Sequence, residues 1–160
     1  MRTTRIYCRP SCRPPKRPKL ENREWYPSAT AAQDAGFRAC KLCRPDGIAP
    51  VERERLMVNA LTRNALEFSS VAEMAAAGLV SESKLYKLFR LHRGVTPLEV
   101  LNRKRVEAAC KSLEGSDASV SRIALEVGFQ SLSAFNANFR RFMGVAPLEY
   151  RRHRMLLEAA

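Results

Sequence analysis

The chain has no apolar run long enough to cross a membrane, and nothing at Met1 resembles an apolar signal segment. A spanning protein and a secreted disulfide scaffold are therefore set aside, and a reducing, cytoplasmic setting is expected. Acidic residues are scarce: 16 Asp and Glu stand against 28 Lys and Arg, leaving a net charge of +12 over 160 residues. Both the front third and the remainder are basic, which favours a polyanionic partner, nucleic acid ahead of an anionic membrane surface. The front third is also poor in material for a core. Ile6, Tyr7, Trp25, Tyr26, Phe37 and Leu42 are the apolar side chains expected to pack there, and so small a set needs an ion to stay folded.

Cysteine supplies the means. Cys8 and Cys12 form a C-x3-C pair in CRPSC, and Cys40 and Cys43 form a C-x2-C pair in CKLC, with 27 residues between the pairs. Each pair can bite one ion while the chain between closes into a loop, the pattern of a tetrahedral four-thiolate zinc site. Disulfides are the competing reading, but they would leave Cys110 as an odd fifth thiol. A zinc ion that only holds the fold together is the plain alternative to one with chemistry of its own. Between the pairs, residues 13–19 (RPPKRPK) combine three prolines with four cations. The segment should be an extended exposed loop, either a solvated linker or a phosphate-facing edge. Residues 30–35 read as a short helix stopped by Gly36.

Residues 47–50 (GIAP) mark the expected boundary, giving domains 1–47 and 48–160. Val58, Leu61, Ala65 and Phe68 recur at helical steps over 51–67. Further on, the chain repeats itself. Ser70, Val71, Met74 and Ala75 match Ser119, Val120, Ile123 and Ala124 at an offset of 49. Phe89, Arg90, Gly94, Val95, Pro97, Leu98 and Glu99 then match Phe139, Arg140, Gly144, Val145, Pro147, Leu148 and Glu149 at 50. Each copy is a short helix, a turn and a longer helix. Ser70 with Glu73 predicts a capping box, Ser81 and Ser131 predict further helix starts, and Gly94 and Gly144 predict helix ends. A connecting helix should begin at Thr96, Pro97 and Glu99 and run to about Leu113. Such a spacer could hold two recognition helices about one DNA turn apart. Leu85, Leu88, Phe89, Phe135, Phe139 and Phe142 should be core, and Cys110 a buried core thiol.

RTTRIYCRPSC, EN and WYPSATAAQDAGFRACKLCRP together resemble the N-terminal zinc domain of the Ada family, which repairs methylphosphotriesters in DNA. Residues 123–152 (IALEVGFQSLSAFNANFRRFMGVAPLEYRR) resemble the DNA-binding domain of the AraC family, which the Ada family joins to its zinc domain. The resemblance implies a mainly α protein, a small zinc-bound α+β domain followed by an all-α tandem helix-turn-helix domain. It assigns one zinc to Cys8, Cys12, Cys40 and Cys43, with Cys8 also the methyl acceptor, and it turns Thr4 and Arg9 toward the DNA backbone. It places Ser83, Tyr86 and Lys87, then Ser133, Ala134 and Asn136, against bases, and Arg90, Arg140 and Arg141 against phosphates or solvent. The implied partners are double-stranded DNA and RNA polymerase, with a cytoplasmic monomer as the acting form. No cysteine lies in a Pro-Cys-His-Arg context, so no O6-methylguanine domain is expected. The family's zinc domain usually carries a helix and strand ahead of RTT, so either part of that domain is missing here or the start at Met1 is placed too late. Arg5 stands where the family has glycine, and the segment between Cys12 and Glu21 is one residue longer.

Methyl transfer would be single-use, since a thioether does not turn over. It would change the site charge from −2 to −1 beside DNA phosphates. One unit charge about 6 Å from a phosphate at an effective dielectric of about 20 is worth roughly 3 kcal/mol. The competing function is a zinc-stabilised regulator with no transfer activity.

Overall fold

The computed structural model describes residues 1–158. The chain divides into two compact units, Met1–Leu56 and Met57–Ala160. In the first unit, strand β1 (Ile6–Tyr7), helix α1 (Ala29–Asp34) and strand β2 (Arg38–Ala39) form an α+β knot. The strands pair in parallel with Ile6 opposite Arg38 and Tyr7 opposite Ala39. Helix α1 is capped by the Ser28 hydroxyl, which accepts from the Ala31 N–H. The turn at Gly36 then carries the chain straight into β2 with φ +79°. Residues 13–19 form no helix or strand, as three prolines require.

The core here is smaller than expected. Tyr7, Ala32 and Phe37 are buried, with Tyr26 and Ala39 against them. Leu42 and Trp25, both expected inside, are exposed, and Trp25 is 76% exposed. Arg5 takes the left-handed conformation its glycine counterpart would adopt freely, φ +50°. Its guanidinium lies over the Phe37 ring, 5.4 Å from the centroid, and donates to the Ala35 carbonyl. A cation–π contact at a partly exposed site contributes about 0.5–1 kcal/mol, comparable with the backbone strain it offsets.

Helix α2 (Pro50–Arg63) follows, and it ends earlier than the apolar spacing suggested. The chain breaks at Asn64 into a single 3-10 turn, Ala65–Glu67. Val58, Leu61 and Ala65 still reach the same core, and Phe68 packs at its edge. The repeat is realised element by element. Helices α3 (Val71–Ala77) and α4 (Glu82–Arg93) make the first helix-turn-helix. Helix α5 (Pro97–Gly115) spans to the second, made of α6 (Val120–Glu126) and α7 (Leu132–Met143), and α8 (Pro147–Glu158) follows. Ser70, Ser81, Thr96, Ser119 and Ser131 all cap through their hydroxyls. Gly94 and Gly144 end α4 and α7 in the left-handed conformation. The capping box differs by one residue. Ser70 caps the Glu73 N–H, but the Glu73 carboxylate accepts from the backbone and hydroxyl of Ser69 instead of the Ser70 N–H. Those two bonds hold its carboxyl below the usual range.

Helix α5 is shared by two cores. Val100 and Leu101 belong to the first, with Leu85, Leu88 and Phe89. Val106, Ala109, Cys110 and Leu113 belong to the second, with Phe135 and Phe139. Phe142 is half-buried at the edge of that second core. Each fully buried phenylalanine contributes about 2–3 kcal/mol by leaving water. Between the cores lies Arg105, 8% exposed. Its guanidinium donates to the Ser69 carbonyl at 2.8 Å and the Phe68 carbonyl at 3.4 Å, and it lies 5.9 Å from the centre of the Phe129 ring. One side chain thus braces the start of the first helix-turn-helix against the turn of the second.

The two turns share a hydrogen-bond pattern but not a sequence. Val80 donates to Ala75 and Leu79 to Ala76, as Phe129 donates to Ala124 and Gly128 to Leu125. Gly128 has φ +94°, and its counterpart Leu79 has φ +53°. Glycine stands one residue earlier in the first copy because a Cβ at 78 would come within 3.2 Å of Leu61 and Met57. Leu79 is 92% exposed, so its side chain supplies no packing to offset the strain. Leu79→Gly is expected to stabilise the domain by about 1 kcal/mol in denaturant titrations. A destabilised variant would show that the strain is absent.

Candidate metal centre and nucleic-acid interface

Strand pairing builds the centre. The Cys40 N–H donates to the Tyr7 carbonyl at 3.0 Å, so Cys8 and Cys40 leave the same end of the two-stranded sheet side by side. Each then opens a tight turn. Cys12 donates back to the Arg9 carbonyl and Arg44 to the Cys40 carbonyl, bringing the second cysteine of each pair under the first. The outcome is four sulfurs within 4.8 Å of one another, with Cys43 buried and the other three half-buried. A tetrahedral ion with zinc–sulfur bonds of about 2.3 Å sets its sulfurs about 3.8 Å apart. The cluster therefore fits zinc after a small inward movement, and the all-thiolate donor set suits that ion.

The surrounding polar groups fix the turns. The Arg9 N–H points at the Cys43 sulfur at 3.4 Å, while its guanidinium binds the carbonyls of Arg44 and Gly47. Arg9 thus ties the first cysteine turn to the second. Tyr7 closes the far side by donating to Asp46 at 2.5 Å and accepting from Gln33 at 2.6 Å. Burial and then the Asp46 carboxylate push its phenol up.

The sulfurs are not equivalent. Burial pushes the Cys40 thiol up, but the N–H groups of Cys43 and Leu42, with the neighbouring thiols, outweigh it and bring it to about 7. Cys12 is pushed up to about 11 by burial, then by Cys43 and Cys40. Cys8 is pushed up by burial, then by a hydrogen bond with Cys40 and by the charges of Cys12, Cys40 and Cys43. Burial first, and then the neighbouring thiols, raise Cys8 and Cys12, and a dication reverses that cost. Cys8 and Cys12 also share the wall of a groove of about 630 Å³ on this unit.

The other site residues are spread over the surface. Thr4 is exposed. On α4, Ser83, Lys87 and Arg90 are exposed, while the Tyr86 ring packs on the first core. On α7, Ser133, Ala134 and Arg140 are exposed and Asn136 is half-buried. Arg141 pairs with Glu99 at 3.2 Å and lies over the Phe142 ring, tying α7 back to α5. Cys110 is a buried core thiol pushed up by burial. Sequence reasoning missed Arg105 and the Tyr7–Asp46–Gln33 set. Only the oddity of a cation inside the apolar stripe of α5 could have flagged Arg105. No described helix is long and apolar enough to cross a membrane.

Fold and site together define a thiolate metal domain followed by a tandem helix-turn-helix domain. Residues 1–46 match the metal binding domain of Ada, and residues 74–153 match a helix-turn-helix domain family. The bifunctional transcriptional activator/DNA repair enzyme AdaA of Bacillus subtilis is 29% identical over 94% of this chain and 72% of its own length. The probable bifunctional transcriptional activator/DNA repair enzyme AlkA of Mycobacterium tuberculosis is 33% identical over 86% of this chain. Only 29% of that relative's own length is spanned. Among solved structures, the methylated N-ADA/DNA complex matches with a TM-score of 0.53 and 33% identity, over 65% of this chain and 80% of that one. The chain belongs to the Ada family, with an Ada metal-binding domain joined to an AraC-type helix-turn-helix domain. Its cofactor is zinc, and the four clustered cysteines are positioned to hold it.

Cys8 and Cys12 are both raised above neutrality without metal. Loading with zinc at pH 8 should therefore release at least two protons per ion, measured with an indicator dye. Apparent zinc affinity should fall about a hundredfold for each unit that pH is lowered. Release of fewer than two protons would contradict the crowded-thiol picture.

Proposed function

We propose that this chain is a methylation-responsive regulator that takes methyl groups from DNA methylphosphotriesters onto Cys8 and then activates transcription. The observation that carries the reading is the asymmetry of the cluster. Cys40 and Cys43 are supported by backbone N–H groups. Cys8 and Cys12 instead open on a groove with Arg13 and Arg17 on its walls. Between these two, the Ada resemblance assigns the acceptor role to Cys8. When bound, zinc would keep the sulfurs deprotonated at neutral pH and so supply a thiolate nucleophile. Cys8 Sγ attacks the methyl carbon in line. A carbon–sulfur bond forms as the carbon–oxygen bond breaks, and the electron pair leaves on the phosphate oxygen as an ordinary diester anion. The thiolate carries no proton, so none has to move. The thioether is permanent, and each molecule acts once.

The second unit supplies the readout. Ser83, Tyr86 and Lys87 on α4 and Ser133, Ala134 and Asn136 on α7 are the residues proposed to meet bases in double-stranded DNA. Arg90, Arg140, Arg141, Thr4 and Arg9 meet the backbone. Arg9 also holds the second cysteine turn, whose carbonyls its guanidinium binds. Domains divided near residues 47–48, a monomeric acting form, a cytoplasmic setting and contact with RNA polymerase complete the reading.

Mass spectrometry of the zinc-loaded chain after exposure to methylphosphotriester DNA should find one methyl group, on the peptide containing Cys8. The methylated form should bind duplex DNA on the order of a hundredfold more tightly at low salt, with the difference shrinking as salt rises. An unchanged protein would leave a zinc-stabilised regulator without transfer, and a methyl on Cys12 would reassign the acceptor.

A further inference from the structure

The groove beside Cys8 holds more than a nucleophile needs. Its floor is apolar, formed by Ala32, Phe37 and Tyr26 from the small core. Arg13 and Arg17 stand exposed on its sides. Arg23 is bound to the Pro18 carbonyl through two nitrogens, and Glu24 is paired with Arg2 at 3.5 Å. Trp25, the sole tryptophan of the chain, lines the same groove while remaining 76% exposed. It was expected to be core, and the structure instead leaves this indole in water on a groove that Cys8, Arg13 and Arg17 also line, an apolar face with a polar edge open to a ligand.

We propose that the groove seats the methylated stretch of a DNA backbone. Arg13 and Arg17 take flanking anionic phosphates, and the Trp25 ring covers the methyl ester and the deoxyribose beside it. Trp25 would then select triester over diester. An anionic phosphate loses hydration against an indole face with nothing to replace it, whereas the triester has no charge to desolvate and adds apolar area. Charge complementarity with Arg13 and Arg17 names the occupant as nucleic acid, and Cys8 on the wall names the reacting segment. The inference rests on the methyl-acceptor reading and goes beyond it by assigning the residue that distinguishes damaged from intact backbone.

The test uses the zinc-loaded full chain, single-turnover methyl transfer and duplexes with and without one methylphosphotriester. Trp25→Ala should raise the half-saturating concentration of damaged duplex about tenfold, leave the maximal rate within about twofold, and leave binding of intact duplex unchanged, with Trp25→Phe recovering most of the loss. Equal zinc content and equal Cys8 alkylation by methyl iodide establish that the variants fold. Unchanged half-saturation, or equal losses for damaged and intact duplex, would overturn the assignment while leaving methyl transfer standing. Should the alanine variant not hold zinc, wild-type tryptophan emission in stopped flow decides. Quenching at about tenfold lower concentration of damaged than intact duplex is expected, and equal quenching overturns the proposal. A wild-type chain that takes no methyl at all overturns the acceptor reading and this subsite with it, a result seen before any variant is made.

Discussion

Four sulfurs held within 4.8 Å of one another repel as soon as they ionise. Everything in the first unit is arranged around that repulsion and the dication that relieves it. The apolar core there amounts to Tyr7, Ala32 and Phe37 with two half-buried neighbours, far too little to offset the entropy of ordering some fifty residues. The two-stranded sheet is only two residue pairs long. Its use is positional, since pairing Tyr7 with Ala39 sets Cys8 beside Cys40. Metal binding and folding are therefore one event in this unit.

The second unit solves a different problem with different means. It has two conventional cores threaded on one helix, each closed by buried phenylalanines. Arg105 sits where the cores meet and satisfies carbonyls at the start of α3 that no helix could reach. Its guanidinium is desolvated, which pulls its pKa down, yet it keeps its charge because arginine starts so high. Lysine in that place would face the same burial with less reach and a pKa that burial readily lowers. Much of the positive charge stays on exposed faces, where Lys87, Arg90 and Arg140 lie on the two longer helices.

Much of this was legible in the sequence, for identifiable reasons. Cysteine spacing, serine caps and an internal repeat are local signals, and each was realised: the four sulfurs converge, and the predicted serine hydroxyls cap their helices, with only the return bond of the Ser70–Glu73 box shifted to Ser69. Long-range packing was less readable. Trp25 and Leu42 look like core because they are large and apolar, but only the fold shows that the floor of the groove is already filled by Phe37 and Tyr26. Nothing local to Arg9 signals that its guanidinium binds carbonyls 35 and 38 residues away. Leu79 occupies a left-handed position because the glycine beside it is needed for the approach of α2, a competition no single-copy pattern reveals. The early end of α2 has the same character, since Ala65 and Phe68 hold their core places from a 3-10 turn and the segment after it as well as from a helix.

Zinc-edge X-ray absorption on the loaded chain tests the central claim most directly, because it reads the donor set and needs no DNA. The account predicts four sulfur neighbours at about 2.3 Å and no nitrogen or oxygen in the first coordination sphere. A mixed shell with a nitrogen or oxygen donor, or a purified chain that binds no zinc, would contradict it.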